Sequence, residues 1–152
     1  MSKKLRVLIA DDHEQCRWVV ARLLNLTFDL VGAVANGRQL VNTAMSLRPD
    51  VIVSDVSMPL MSGNQAMKEL KFRGYTIPFV LMSSDVFGAD DYIKDGAIAF
   101  VAKIDMGSEL APAVASAYFG ELYISQSAGT GHVKYCAQPM ILRTAFEIAR
   151  EE

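Results

Sequence analysis

Val51-Ile52-Val53-Ser54-Asp55 opens with three β-branched residues and ends on a carboxylate. Four apolar or small residues in a row, with no alternation, fit a strand buried on both faces. Four other runs have the same character and flank it along the chain. They are Leu5 to Ala10, Leu30 to Ala35, Phe79 to Ser83 and Ala97 to Ala102. Between them the apolar period changes to that of a helix. Cys16, Val19, Val20, Leu23 and Leu24 form one stripe within residues 12 to 28, with Asp12 as a suitable N-cap. Leu40, Val41, Ala44, Met45 and Leu47 form a second, after the Asn36-Gly37 turn and before Pro49. Ala66, Met67 and Leu70 mark a third, closing at Gly74. A fourth helix is predicted from about Asp85 to Asp95. A fifth is predicted from an N-cap at Ser108 to near Gly120, with Pro112 at the edge of its first turn.

Five strands alternating with five helices predict a parallel sheet covered on both faces. The strand order 2-1-3-4-5 of the flavodoxin-like fold fits best. Residues 125–139 read as a loop. Pro139 then opens an expected sixth helix, with its stripe on Ile141, Leu142, Ala145, Phe146, Ile148 and Ala149.

The composition sets outer limits. The chain has 152 residues, of which 51% are hydrophobic and 21% charged, enough for one compact domain. A net charge of -2 offers no basic field for nucleic acid. The two cysteines, Cys16 and Cys136, have no metal-ligand spacing and read as reduced thiols. The first apolar run meets acids by Asp11, too soon for a secretion signal, and no stretch approaches the roughly 20 apolar residues of a membrane helix. A cytoplasmic protein without membrane contact is the expectation.

Sites in open α/β sheets lie at the carboxyl ends of the strands. Asp11 and Asp12 follow the first strand, Asp55 ends the third, Ser83 and Ser84 end the fourth, and Lys103 ends the fifth. Three converging carboxylates repel one another unless a cation joins them, and hard oxygen ligands favour Mg²⁺. Lys103 supplies a point charge and Ser83 a hydroxyl, either of which can meet a phosphoryl oxygen. A nucleophilic carboxylate with its charge neutralised is what an acyl phosphate requires. Singly, each residue has a plainer role as cap, turn or surface residue.

These residues also carry a family pattern. Asp11-Asp12, the loop from Asp55 through Met58-Pro59 to Gly63, the strand Pro78 to Ser83, and Gly96 to Lys103 occur in that order. Over residues 5 to about 121 the chain resembles the CheY-like receiver domains of two-component response regulators. The resemblance implies that Asp55 accepts a phosphoryl group from a sensor histidine kinase or phosphotransfer protein. It implies that Asp11, Asp12, Asp55 and the backbone carbonyl of Ser57 hold Mg²⁺. Lys103 and Ser83 would contact the phosphoryl group, while Phe100 would turn inwards behind Ser83. The protein would then be a regulatory switch rather than an enzyme, catalysing only its own phosphorylation and dephosphorylation.

The Ala10 to Glu14 opening and the Gly120 to Ser125 end are most similar to receivers of LuxR/NarL-type regulators. Residues 1–124 are therefore expected to form the receiver. Residues 125–152 would be an extension without a DNA-binding domain, offering a docking or homodimer surface or packing on its own domain. Three positions depart from the pattern. Ile104 stands where a proline usually follows the lysine, Ser84 replaces a smaller residue, and Asp85 occupies a place that tunes dephosphorylation. These departures keep open a degenerate receiver that binds partners without phosphorylation. A phosphatase of the haloacid-dehalogenase type fits poorly, because Ser57 stands where its second Asp would be. Trp18 shares a helix face with Glu14, Arg22 and Asn25, away from the apolar stripe, either as a kinase-docking anchor or as a partly buried ring. His13 and His132 read as solvent-facing.

Overall fold

The computed structural model describes residues 3–129. The expected sixth helix, His132 and Cys136 lie outside them. Within them the elements run β1 (Arg6–Ala10), α1 (Glu14–Leu24), β2 (Asp29–Val34), α2 (Gly37–Leu47), β3 (Val51–Asp55), α3 (Gly63–Phe72), β4 (Phe79–Ser83), α4 (Ala89–Lys94), β5 (Ala99–Ala102), a 3-10 turn (Lys103–Asp105), α5 (Met106–Tyr118) and β6 (Tyr123–Ile124). All strands are parallel, in the order β2-β1-β3-β4-β5-β6. The expected 2-1-3-4-5 order is present, with a sixth strand added beyond β5.

Side chains alternate across the sheet, so each central strand feeds two cores. Val7, Ile9, Val51, Val53, Val80, Met82, Ala99 and Val101 face α1 and α5, where Val20, Leu24, Leu110 and Val114 meet them. Leu8, Ala10, Ile52, Phe79, Leu81 and Phe100 face α2, α3 and α4, where Leu40, Ala44, Ala66 and Leu70 meet them. This two-sided burial explains why β3 reads as an unbroken apolar run.

Caps begin two of the helices. Asn36 accepts from the Gln39 N–H, and Ser62 and Gln65 form a reciprocal capping box at α3. Gly63 then packs directly on the end of β3. A Cβ there would lie 2.2 Å from the carbonyl oxygen of Asp55 and 2.6 Å from Ser54 Oγ, so only glycine lets α3 approach this closely.

Three boundaries differ from the sequence-based expectation. The cap of α1 is His13, with no side-chain cap bond, because the Asp11 carboxylate takes the His13 N–H at 2.9 Å and leaves Asp12 uncommitted. α4 begins at Ala89, four residues later than expected. Ser83 Oγ accepts from the Asp85 N–H and Asp85 Oδ1 accepts from the Phe87 N–H, and these two local turns compete with helix. α5 begins at Met106 rather than after Ser108, which puts Pro112 inside the helix. β6 escaped notice because two residues carry no periodicity.

Candidate phosphoacceptor site

β1, β3 and β5 end at the same edge of the sheet and deliver Asp11, Asp55 and Lys103 to one point. Lys103 Nζ lies 3.1 Å from Asp11 Oδ2 and 3.2 Å from Asp55 Oδ2. Asp11 is fully buried and Asp55 nearly so, while Lys103 keeps a small opening to solvent. Burial pushes the Asp55 carboxyl above its ordinary value, helped by the Asp11 charge. Lys103 and the Ser57 N–H work against that rise. Burial also acts to raise Asp11, but hydrogen bonds from the Cys16 thiol, the His13 N–H and Lys103 hold it below the ordinary value. Burial alone would lower Lys103. Its hydrogen bond to Asp11 and the attraction of both carboxylates reverse this and raise it, so the lysine stays charged.

Asp12 completes the cluster. Carboxylate oxygens of Asp11, Asp12 and Asp55, with a ring nitrogen of His13, all lie within 4.8 Å of one another. Asp12 Oδ1 is buried and has no hydrogen-bond partner, although His13 Nδ1 is 3.2 Å away. A buried carboxylate oxygen without a donor is costly, and a cation is the simplest remedy. One lysine against three carboxylates leaves two negative charges, which suits a divalent ion with oxygen ligands. The donor set therefore fits Mg²⁺. Ser57 is exposed and lines an open cavity beside Asp12, with Met58, Pro59, Ser62, Asn64 and Tyr92.

The remaining expected residues stand further out. Ser83 ends β4, paired with Ala102, and its hydroxyl accepts from Asp85. That leaves its own proton to donate. Phe100 is fully buried and stacks on Tyr92, with ring centres 5.7 Å apart. Its ring already occupies the inner position. Trp18 is 60% exposed, with the Arg22 guanidinium 4.8 Å above its ring. His13 faces solvent as expected, yet it borders the cluster. Two neighbours were not foreseen: the Cys16 thiol, which helps hold the Asp11 carboxyl down, and Arg17, whose Nη1 donates to the Asp11 carbonyl at 2.7 Å. Their i+5 and i+6 spacing from Asp11, one turn into α1, was the available signal.

A family profile described as "Response regulator receiver domain" matches residues 7–115. The chain belongs to the response-regulator receiver family. It is 32% identical over 122 residues to the transcriptional regulatory protein LiaR of Bacillus subtilis, covering 77% of this chain and 57% of that protein. It is 34% identical over 107 residues to a protein-glutamate methylesterase/protein-glutamine glutaminase of Geobacillus kaustophilus, covering 66% of this chain and 30% of that enzyme. The solved signal receiver domain of NarL from Mycobacterium tuberculosis superposes with a TM-score of 0.74 at 26% identity, covering 79% of this chain and all of that one. The chain thus spans from under a third to somewhat over half of these curated relatives. What it shares with them is the receiver, a regulatory module of two-component signalling that works with histidine kinases or phosphotransfer proteins. No helix among the described residues is long and apolar enough to cross a membrane.

Proposed function

We propose that this receiver is a phosphorylation-dependent switch whose phosphoacceptor is Asp55. The observation that carries the reading is the placement of Lys103 between Asp11 and Asp55, next to the partnerless oxygen of Asp12. An oxygen of Asp55 forms a bond to the phosphorus of a phosphohistidine on a sensor kinase or phosphotransfer protein. The P–N bond breaks, its electron pair stays on the imidazole nitrogen, and that nitrogen takes up a proton. Asp11, Asp12, Asp55 and the Ser57 carbonyl are the residues that would hold Mg²⁺. When bound, the ion neutralises charge on the phosphoryl oxygens. Lys103 keeps one Asp55 oxygen oriented and remains protonated to meet a phosphoryl oxygen. The raised pKa of Asp55 reflects a carboxylate held out of water, and shedding hydration favours its attack on phosphorus.

Once formed, the acyl phosphate would draw the Ser83 hydroxyl towards it. Ser83 ends β4 beside β5, and Phe100 of β5 stacks on Tyr92 of α4, so the movement would be passed to α4 and the adjoining face of β5. The output is a change of shape read by a protein partner or by a second copy of this chain.

Intact-protein mass spectrometry after incubation with acetyl phosphate and Mg²⁺ tests the reading. A single phosphoryl adduct is expected, lost in Asp55→Ala and lost without the metal. A folded protein that takes no adduct would instead support a degenerate receiver acting by constitutive binding.

A further inference from the structure

The turn that carries Lys103 is held from outside itself. The 3-10 turn Lys103–Asp105 has no side-chain cap bond, and Ile104 projects from it 81% exposed. Its support comes from the segment that follows α5. β6 pairs with β5 through Tyr123 N–H to the Ile98 carbonyl and Ser125 N–H to the Phe100 carbonyl. Ser125 is fully buried, and its Oγ accepts from the Ala102 N–H at 2.8 Å, immediately before Lys103. Two residues after Lys103, Asp105 accepts from both the N–H and the Oγ of Ser127, at 2.8 and 2.7 Å. Glu109 fastens the same segment by accepting from the Tyr123 hydroxyl at 2.7 Å and from the Gln126 N–H. The backbone is therefore fixed on both sides of Lys103 by residues 123–127, all beyond the 7–115 matched by the family profile.

We propose that Ser125 and Ser127 are positioning residues for Lys103. This rests on the reading of Asp55 as phosphoacceptor. Nζ touches both carboxylates at hydrogen-bond distance, and it must also meet the phosphoryl group as charge develops there. The lysine stem is long and flexible, so the accuracy of its head depends on its Cα staying in place. A displacement of about 1 Å at such a group costs on the order of 100-fold in rate. The clamp's hydrogen bonds run to Ala102, Asp105 and Glu109, so cutting them leaves the side chains of Asp11, Asp12 and Asp55 unaltered.

The test uses the full chain with Ser127→Ala, Ser125→Ala, the double variant, and Ser127→Thr as the version that keeps the hydroxyl. The readout is the rate of adduct formation with acetyl phosphate across a range of Mg²⁺ concentrations. The double variant is expected to lose about tenfold in rate at saturating Mg²⁺, equal to about 1.4 kcal/mol. Its half-saturating Mg²⁺ concentration should stay within twofold of wild type, and Ser127→Thr should restore most of the rate. A rate within twofold of wild type in the folded double variant would overturn the proposal. So would a loss that follows weakened Mg²⁺ binding, since general loosening of the fold would move both quantities. Should the buried Ser125→Ala fail to fold, Ser127→Ala and Asp105→Ala carry the same test on half-exposed residues. Absence of an adduct on wild-type protein would remove the underlying function and this proposal together. An adduct that forms at the wild-type rate in the variants would remove the clamp alone.

Discussion

The two helices on either side of β5 are built to different standards. α5 has thirteen residues and buries Leu110 and the run Ala113 to Ala117. It is fastened further by Asp105 and Glu109 to the segment behind it. α4 has six residues and buries only Ala89. It follows a left-handed Gly88, has no side-chain cap, and is tied to α3 mainly through Asp95, which accepts from Asn64 and pairs with Lys68. A helix so short has little stability of its own and depends on its contacts. The comparison teaches which side of β5 is lightly held and which side anchors the turn that carries Lys103. The proposed switch needs both, since Lys103 would be misplaced if it moved together with α4.

The largest test of this asymmetry is Leu110→Ala in α5. It should cost about 3 kcal/mol in urea unfolding, as a buried leucine does when its cavity cannot collapse. The matching change in α4, Ile93→Ala at a half-buried site, should cost about 1 kcal/mol. Equal losses would break the comparison. Gly88→Ala should come next, at about 1 kcal/mol, because its φ of +93° is disfavoured for a residue with a Cβ. Hydrogen exchange should show that loss as faster opening of α4 with α5 unchanged.

The smallest effect concerns acid. Burial acts to raise the Asp105 carboxyl, but hydrogen bonds from Ser127 and Ser125 bring it below its ordinary value of 3.8. A carboxylate depressed in the folded state contributes stability above its unfolded pKa, and that contribution is lost as pH falls through the folded value. Asp105→Asn should therefore flatten the stability profile only below about pH 4. Wild-type and variant curves that run parallel there would deny the carboxylate any part in the clamp.

The same asymmetry explains how much could be read from sequence. β1, β3 and β5 are apolar runs that end on chemistry-bearing residues, so Asp11, Asp55 and Lys103 could be placed at one edge from the strand assignments alone. The α1, α2 and α3 stripes were equally legible, because amphipathic periods survive small errors at the ends. What failed was local competition. Ser83 and Asp85 bond to nearby backbone and delay α4, while Asp105 is drawn away from its own helix by Ser127, twenty-two residues on. No pattern near Ser108 could announce that. Nor could the sequence show that Phe100 is fully buried, or that Arg17 donates to the Asp11 carbonyl. Both depend on how neighbouring elements settle against each other.

The closeness of Gly63 to the end of β3 has a consequence for how this sequence can vary. A saturation library at position 63 should return glycine almost alone, even under selection for folding without any phosphorylation. Neighbouring Ser62 and Asn64 should each tolerate several replacements. The first residue of α3 thus acts as a spacer of fixed thickness, one hydrogen wide, between a helix and the strand that bears Asp55. The exposed face of α3 is open to change in a way that its distance from Asp55 is not.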